Sequence, residues 1–210
     1  MSDDPKQIVR AGYEAMAERF GAWRGEIAGS SEAEWVADLL ERLPAGPAIL
    51  ELCCGAASPT TMLLAEESDL LGIDFSSEQV RSARERCPGA RFVEADVTEV
   101  ELEPESFDAV VSVYAFNHVP RADLPRLLRK IGEWLKPGGH LLASFGRSGG
   151  EGIQEGWLGV PMFFASYTEE ENSALVRAAG LEIERDEVVP IVEPDYGEVR
   201  FQWILARRES

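Results

Sequence analysis

The sequence predicts a three-layer, doubly wound α/β fold on a mostly parallel seven-stranded sheet whose last strand is antiparallel. Three observations lead to this prediction. Short β-type runs alternate with amphipathic runs between residues 48 and 145, as in successive βαβ units. The strand runs are almost continuously apolar, which is typical of parallel strands covered by helices on both faces. After residue 146 this alternation stops, and two further strands close the chain.

The first two thirds of the chain are predicted to supply the parallel strands and their covering helices. Residues 5–24 favour a helix with Ile8, Tyr13, Ala17 and Phe20 on one side. Strands are predicted at 48–54, 69–75, 90–97, 107–116 and 140–145. Helices are predicted between them at 60–67, 76–87 and 124–135, the last one stopped by Pro137-Gly138-Gly139.

The last third follows a different pattern. A Gly-rich loop at 146–156 leads into an apolar run at 157–164. A helix is predicted from an N-cap at Thr168 to a C-cap at Gly180. Two strands follow, and the Pro- and Gly-containing loop between them favours an antiparallel edge pair. These strands are predicted at 181–189 and 199–208, with the loop at 190–197.

The charge balance argues against nucleic acid and membrane partners. Lys and Arg number 20 against 38 Asp and Glu, a formal net charge of -18. Such a field repels phosphate backbones and anionic lipid headgroups, and no run approaches the roughly 18 apolar residues of a membrane helix. The polar N-terminus predicts no secretory signal. Three cysteines fit a reducing compartment, so we expect a cytoplasmic protein that is a monomer or a homodimer.

The turn after the first predicted strand is the first place to expect a ligand. Open parallel sheets bind ligands beyond the carboxyl ends of the strands, near the point where the strand order reverses. This turn, between Glu51 and Pro59, is rich in small residues that let a ligand lie against the backbone. Ser58 is a good N-cap and Pro59 suits the first helical position, so a helix N-terminus is predicted to face the crevice.

Two aspartates end the next two predicted strands. Asp74 can accept hydrogen bonds from both hydroxyls of a ribose, although alone it is also explained as a helix-capping residue before Ser76. Asp96 ends the third strand and could accept the amino proton of an adenine, with Phe75 and Val97 as an apolar wall. The three strand ends together predict a cradle for an adenosine.

The glycine content of the first turn separates two kinds of adenosine ligand. A dinucleotide needs a G-x-G-x-x-G pattern where its pyrophosphate crosses the helix N-terminus. The matching positions here are Cys53, Gly55 and Ser58, which include one glycine of the three. S-adenosylmethionine has no phosphate, and its amino group favours an acidic neighbour such as Glu51. The turn therefore favours S-adenosylmethionine over NAD.

Several segments resemble the successive motifs of class I S-adenosylmethionine-dependent methyltransferases. They are ILELCCGAA, GIDFS, VEADV, FDAVVSVYAFNHV and LKPGGHLLAS, in the family's order and spacing across residues 45–145. The flanking segments, YEAMAERFGAWR in front and GWLGVPMFFASYTEEEN to VRFQWILARR behind, are similar to the small-molecule, type 11-like branch of the superfamily. The resemblance implies a Rossmann-like fold and S-adenosyl-L-methionine as the cofactor.

The resemblance also implies roles at the methionine and ribose end of the cofactor. Glu51 would lie near the methionine amino group, and the main chain at Cys53 and Gly55 would line the methionine portion. Val113, at the end of the fourth strand, would add backbone near the amino acid end. Asp74 would hold the ribose.

At the adenine end, Phe75 would pack on the ring, and Asp96 with the Val97 amide would read its edge. The sequence departs from the family at Cys53 and Ala57, where the family favours glycine. A Cβ at each position is tolerable if the backbone stays at negative φ. We expect the extra atoms to tighten the site.

The cysteines and histidines do not predict a metal site. Cys53 and Cys54 are adjacent, but Cys87 is distant, and neither His118 nor His140 has a ligand spacing with them. Buried, inert thiols are the favoured interpretation. His140 opens the fifth strand at the end opposite the crevice, where we expect it at the surface.

His118 and Tyr13 are the candidate catalytic residues. His118 follows the fourth strand and is expected to point into the crevice, either as a general base or as a pocket wall. A base would make the rate rise with pH through a pKa near about 6–7. Tyr13 lies on the N-terminal helix, where it would contact the methionine portion or the acceptor, or would anchor that helix.

An aromatic segment after the fifth strand suits a mobile cap over an apolar acceptor. It contains Trp157, Met162, Phe163, Phe164 and Tyr167. The expected acceptor contacts are His118, Trp157, Met162 and Phe164.

The sequence therefore predicts an enzyme that methylates a small molecule by in-line displacement, with oxygen, nitrogen, sulfur and carbon acceptors all open. A nucleotide-dependent oxidoreductase and an inactive S-adenosylmethionine-binding module are the alternatives. We predict one domain over residues 1–210, with an N-terminal helical cap (1–44) and a cofactor-binding core (45–145). The remainder (146–210) would hold the aromatic lid, a helix and the edge strands.

Overall fold

Helices and strands alternate along the first part of the chain, as predicted, in a computed structural model that describes residues 4–25 and 31–209. Within these ranges the side chains of residues 17, 18, 21, 22 and 25 are not described, so the placement of Ala17 lies outside the described residues. The helices are α1 Pro5–Gly25, α2 Glu32–Leu40, α3 Pro59–Glu67, α4 Ser77–Arg86, α5 Leu124–Trp134 and α6 Glu169–Ala178. The strands are β1 Ala48–Leu52, β2 Asp69–Asp74, β3 Arg91–Glu94, β4 Phe107–Ser112, β5 Leu135–Phe145, β6 Gly150–Trp157, β7 Val160–Ser166, β8 Leu181–Glu193 and β9 Gly197–Arg208.

The main sheet confirms the predicted topology. Its order is β3-β2-β1-β4-β5-β9-β8. The first five strands in the chain pair in parallel, and β9 lies antiparallel between β5 and β8. The chain moves outward from β1 to β3 and then returns to β4 on the other side of β1. The strand order therefore reverses between β1 and β4, where a ligand crevice is expected in this class of sheet.

The central strands are buried on both faces, so alternate residues enter two separate cores. On one side Leu50 of β1 packs in a cluster that includes Trp134 of α5. On the other side Ile49 packs with Trp35 of α2 and Trp203 of β9. Each fully buried aliphatic side chain contributes about 1.5–3 kcal/mol relative to an exposed one. A register shift of one residue would exchange the two sets, so this alternation fixes the register.

The boundary between α5 and β5 is not where the sequence predicts it. The helix ends at Trp134, and β5 begins at Leu135, which pairs with Phe107 of β4. The Pro-Gly-Gly segment therefore lies inside the strand, next to an irregularity in its pairing. A Cβ on Gly139 would lie 3.1 Å from the Asp108 carbonyl oxygen. The glycine thus allows close approach of the two backbones and does not end the helix.

The surface position expected for His140 is wrong. Its side chain is buried, because β9 covers this part of β5 and pairs Arg207 with His140. The His140 Nε2 atom lies 3.5 Å from a carboxylate oxygen of Glu184 on β8. Burial lowers the pKa of His140, and the Glu184 carboxylate opposes that shift.

The Gly-rich segment predicted as a loop is a strand. Residues 150–157 form β6, which pairs antiparallel with β7 in a separate two-stranded sheet, here called the hairpin. Glycines at 150, 152 and 156 remove side chains from β6 and conceal its strand pattern. The hairpin packs closely on α1, since a Cβ on Gly12 would lie 2.7 Å from the Met162 methyl carbon.

The closing elements match the prediction in order but not in length. Thr168 caps α6 as predicted, and Gly180 follows its C-cap with φ +80°. The strands β8 and β9 continue through most of the predicted loop, so that Glu193 pairs with Gly197. Pro190 is tolerated inside β8 because this strand lies at the sheet edge. No helix among the described residues is long and apolar enough to cross a membrane.

Candidate functional site

A cavity of about 750 Å³ lies at the carboxyl ends of β1, β2 and β4 and is here called the strand-end cavity. It lies at the reversal of strand order, and residues of α1 contribute to its wall. All nine residues predicted to bind the cofactor line this cavity. They are Tyr13, Glu51, Cys53, Gly55, Asp74, Phe75, Asp96, Val97 and Val113.

The turn between β1 and α3 departs from the backbone conformation expected for it. Cys53 has φ 56° and Ala57 has φ 63°, on either side of Gly55 with φ 58°. Negative φ, the condition under which a Cβ would be tolerated here, is met at neither position. Left-handed backbone at a non-glycine residue costs about 1–2 kcal/mol. Ser58 then caps α3 as predicted, accepting a hydrogen bond from the Thr61 backbone N–H.

Asp74 is buried at the end of β2, where backbone N–H groups hold its carboxylate. One oxygen accepts from the Gly55 N–H at 3.0 Å, and the other accepts from the Ser76 N–H at 2.9 Å. Burial raises the pKa of Asp74, and these N–H groups oppose that shift. Ser76, not Asp74, caps α4. Each carboxylate oxygen keeps a lone pair that a ligand hydroxyl can use.

Glu51 presents an unsatisfied carboxylate oxygen beside this cavity. Its Oε1 atom accepts the Thr61 hydroxyl hydrogen at 2.8 Å. Its Oε2 atom is buried and has no hydrogen-bond partner within the described part of the chain. Burial raises the pKa of Glu51 to about 8. A ligand ammonium group here would satisfy the free oxygen and would stabilise the ionised form.

Asp96 is held by two residues that sequence reasoning did not identify. One oxygen accepts from the Thr98 backbone N–H and hydroxyl at 2.9 and 2.8 Å. The other lies 3.0 Å from Lys6 Nζ of α1. Thr98 and Lys6 together lower the pKa of Asp96 despite its partial burial. The Lys6 contact joins residues 90 positions apart, and no local sequence signal predicts such a contact.

Tyr13 and His118 form a hydrogen-bonded pair between α1 and the end of β4. The Tyr13 hydroxyl lies 2.9 Å from His118 Nε2, and His118 Nδ1 lies 2.9 Å from the Phe163 carbonyl oxygen. Because a carbonyl oxygen only accepts, Nδ1 carries the proton and Nε2 accepts from Tyr13. Burial lowers the pKa of His118 to about 4 and raises that of Tyr13. A lowered pKa disfavours the general-base alternative, which requires the rate to rise with pH through a pKa of about 6–7.

A second cavity of about 670 Å³ adjoins the first and is here called the hairpin cavity. It lies between α1, the hairpin and the β8–β9 turn, and Trp157 and Phe164 line it, consistent with their predicted acceptor contacts. Its wall also holds residues that the sequence did not predict as acceptor contacts. These include Phe20, Trp23, Arg24, Tyr114, Glu193, Tyr196 and Phe201. Five residues line both cavities: Tyr13, Phe20, Arg24, Tyr114 and His118.

Met162 does not reach the hairpin cavity, so its predicted acceptor contact is wrong. Its side chain is completely buried between β7 and α1. Phe164 lies on the same face of β7, two residues further along, where it packs against the His118 ring at 4.9 Å between ring centroids. Met162 instead lies against α1 at Gly12. Phe163 is buried with Met162, and Tyr167 donates to the Arg121 carbonyl oxygen away from the cavity.

The cysteines of the turn are not activated. Burial raises the pKa of the Cys53 and Cys54 thiols well above its usual value, which disfavours the nucleophilic thiolate. Within residues 4–25 and 31–209, no group of three or more His, Cys, Asp and Glu side chains is arranged to hold a metal ion.

Comparison with known proteins agrees with this fold. Residues 49–139 match the family model described as a methyltransferase domain. A solved S-adenosylmethionine-dependent methyltransferase from Methanosarcina mazei superposes with a TM-score of 0.72 at 20% identity, over 80% of this chain and 95% of the other. The chain is thus similar in sequence and in fold to S-adenosylmethionine-dependent methyltransferases.

Other methyltransferases resemble the chain over part of their length. The 2-phytyl-1,4-naphtoquinone methyltransferase of Thermosynechococcus vestitus is 27% identical over 62% of this chain and 61% of its own length. The demethylmenaquinone methyltransferase of Listeria welshimeri is 25% identical over 67% of this chain and 63% of its own length. The chain thus spans about three fifths of these two curated methyltransferases.

A second solved methyltransferase is similar in structure over the full chain. It is the Burkholderia thailandensis 1,6-didemethyltoxoflavin-N1-methyltransferase, solved with 1,6-didemethyltoxoflavin and S-adenosylhomocysteine bound. Its TM-score is 0.74 at 19% identity, over 100% of this chain and 92% of the other. At this identity the similarity shows a shared methyltransferase fold.

Proposed function

We propose that this chain transfers the methyl group of S-adenosylmethionine to a small-molecule acceptor. The observation that carries the proposal is the junction of the two cavities at Tyr13 and His118. One cavity holds the predicted cofactor residues at the strand ends, and the other is lined by aromatic side chains. A donor in the first and an acceptor in the second would meet at this junction.

The residues of the strand-end cavity fit S-adenosylmethionine. The buried Glu51 Oε2 lacks a partner and suits the amino group of the methionine portion. Asp74 retains acceptor capacity for the ribose hydroxyls, and Phe75 offers an apolar surface for the adenine. The turn at Gly55 lacks the further glycines that a pyrophosphate requires. We therefore assign the cofactor role to S-adenosyl-L-methionine and not to NAD.

The protein's contribution to the reaction would be alignment and exclusion of water. S-adenosylmethionine supplies a methyl carbon activated by a sulfonium leaving group. His118 is neutral at pH 7, since burial lowers its pKa to about 4. Its Nε2 atom already accepts from Tyr13. The pair thus forms a fixed polar wall, which favours a positioning role over general-base catalysis.

The known substrates of similar proteins support an organic acceptor of modest size. Two curated relatives are named for quinone methylation, and one structural neighbour binds 1,6-didemethyltoxoflavin. The aromatic wall of the hairpin cavity suits such flat molecules. We further propose a cytoplasmic protein, monomeric or homodimeric, that takes no nucleic acid and folds as one domain over 1–210.

Calorimetry with S-adenosylmethionine, S-adenosylhomocysteine, NAD and NADP tests the cofactor. The first two should bind and the others should not. Asp74→Ala should weaken S-adenosylhomocysteine binding by about 1.5–3 kcal/mol, roughly 10- to 150-fold, because two hydrogen bonds to a ribose are lost. Asp69→Ala, at the exposed opposite end of β2, is the matched control and should leave affinity unchanged.

Two outcomes would support the alternatives. Tight NAD binding would favour an oxidoreductase and would overturn the proposed function. Normal S-adenosylhomocysteine binding without turnover across oxygen, nitrogen, sulfur and carbon acceptors would favour an inactive binding module. Thermal unfolding of Asp74→Ala distinguishes lost ligand contacts from lost folding, because Asp74 also accepts from two backbone N–H groups.

A further inference from the structure

The hairpin cavity has walls made of aromatic rings set at steep angles to one another. The Trp157 ring lies 5.7 Å from Trp23 at 79° and 5.4 Å from Phe164 at 86°. Perpendicular rings form the corners of a box, in which a ligand meets ring faces on more than one side. Boxes of this kind bind ammonium groups through the negative potential of the ring faces.

Glu193 contributes a carboxylate to the same cavity. Among the described residues, no side chain donates a hydrogen bond to the Glu193 carboxylate. Apart from burial, the charge of Arg24 is what shifts its pKa. Partial burial raises the pKa of Glu193, and Arg24 opposes that shift. A carboxylate that is partly desolvated and incompletely compensated is stabilised by a cationic ligand.

Two contacts hold Glu193 at the box. The Trp23 indole N–H donates to the Pro194 carbonyl oxygen at 3.2 Å, which joins α1 to the β8–β9 turn. The Leu158 N–H donates to the Tyr196 hydroxyl at 2.9 Å, which joins the hairpin to the same turn. The turn that carries Glu193 is therefore held against α1 and against the hairpin, which form the other two walls of the cavity.

Charges of both signs line this cavity, Glu151 and Glu193 together with three arginines. Each arginine pairs with a carboxylate: Arg24 with Glu32, Arg147 with Glu169 and Arg200 with Glu198. The chain has a net charge of -18, which raises the local concentration of cationic ligands. One ring of the cavity already binds a cation, because the Arg24 guanidinium carbon lies 4.4 Å from the Tyr114 ring centroid. The Arg24 charge is also held by Glu32 at 2.8 Å.

We infer that the methyl acceptor is an organic amine, bound with its nitrogen among the Trp23, Trp157 and Phe164 rings and opposite Glu193. This inference rests on the proposed function and names its substrate class. An amine that arrives protonated first loses its proton to water at the cavity mouth. Its nitrogen lone pair then forms the N–C bond while the C–S bond breaks, and the electron pair of that bond stays on sulfur. The methylated product retains a positive charge that suits the same box.

The test compares two probes of similar shape that differ in one charge. They are 3-hydroxyphenyltrimethylammonium and 3-tert-butylphenol, titrated into the full chain saturated with S-adenosylhomocysteine. The ammonium probe should bind roughly 10-fold or more tightly than the neutral one. Glu193→Gln should weaken the ammonium probe by roughly 5- to 50-fold and leave the neutral probe unchanged. Trp157→Leu should weaken both.

Glu182→Gln is the matched control, since it removes the same charge from an exposed position of the same strand, β8, at the end remote from this cavity. It should leave the affinity for both probes unchanged. Equal binding of the two probes, preference for the neutral one, or binding of neither would overturn the amine assignment. Methylation of a hydroquinone without methylation of secondary or tertiary amines would also overturn it. S-adenosylhomocysteine binding, measured first, reports separately on the proposed function.

Discussion

Ala57 holds a left-handed backbone in the turn between β1 and α3, a conformation that usually selects glycine. Replacing it with glycine would relieve about 1–2 kcal/mol of local strain while losing a buried methyl group worth about 0.8 kcal/mol and adding backbone entropy to the unfolded chain. These effects nearly cancel. We therefore expect Ala57→Gly to change the free energy of unfolding by less than about 0.5 kcal/mol in urea titrations.

Ala83→Gly provides the comparison. Ala83 is equally buried but lies inside α4, where glycine costs about 1 kcal/mol in helix propensity in addition to the lost methyl group. If Ala57→Gly destabilised the protein as much as Ala83→Gly, the left-handed turn would carry no strain.

Glu51 makes stability depend on pH in a defined direction. Its folded pKa of about 8 lies above the ordinary value of 4.5, so the folded protein binds more protons between these values. Stability from this group is therefore present at low pH and is lost as pH rises toward 8. Between pH 6.5 and 8 the loss from this group should be about 1.6 kcal/mol in chemical unfolding.

Glu51→Gln removes the ionisation and should flatten the pH dependence in this window. The exposed Glu67→Gln is the control and should follow the wild type. His118 and His140 have lowered pKa values, so the stability from these groups rises with pH through their ordinary value of 6.5. This contribution is common to the wild type and Glu51→Gln and cancels in the difference between them. A difference that stays level from pH 6.5 to 8 would show that Glu51 is ionised throughout.

Residues at strand ends were the most predictable part of the site. Asp74, Asp96 and Val113 follow buried apolar runs, and parallel strands bring their carboxyl ends to one edge. Lys6 and Glu193 were not predictable, because each reaches its cavity from an element remote in sequence. Nothing near Lys6 indicates that α1 lies over Asp96.

At the scale of elements, α1 is tied to the core by a small number of polar contacts. Near its start, Lys6 Nζ lies 3.0 Å from Asp96 and 3.5 Å from both Glu99 and Asp123. Partly exposed networks of this kind contribute about 1 kcal/mol. Lys6→Met should therefore increase the amide hydrogen exchange rates of α1 by roughly 5-fold, with exchange in the central strands unchanged.

Lys136→Met is the matched control, because Lys136 pairs with Asp108 at the opposite end of the sheet. It should leave exchange in α1 unchanged. High salt should reduce the difference between Lys6→Met and the wild type, since exposed ion pairs are screened. Equal α1 exchange rates in all three proteins at low salt would contradict a role for Lys6 in holding the helix.

The hairpin shows what pattern-based prediction misses at this scale. The sequence indicates apolar residues at 157–164, but the glycines of β6 leave no alternation to identify its strand. The pairing with β7 is determined by tertiary contact, including the close approach of Met162 to Gly12. The parallel strands carry their own apolar signal, so their order along the chain was predictable.

At the scale of the whole molecule, the acidic field determines which partners can approach. The basic residues of the 121–130 region are largely neutralised: Arg126 pairs with Glu99, Lys130 with Glu101, and Arg121 with Glu171. We expect no retention of DNA, RNA or anionic vesicles at about 0.15 M salt, where charges are screened beyond roughly 8 Å.

A filter-binding assay and vesicle sedimentation measure this directly, with a basic RNA-binding protein as the positive control. Salt-sensitive retention of RNA would contradict the small-molecule assignment. It would also direct attention to the face of α5 that carries Arg126 and Lys130.

The shared wall of the two cavities also has a consequence for inhibitor design. Because Tyr13 and His118 border both spaces, one covalent molecule with an adenosine head and an aromatic tail can occupy both at once. After the head binds, a short tether presents the tail at millimolar effective concentration. Such a bisubstrate ligand would bind more tightly than either half alone, and the length of its tether would measure the gap at the junction.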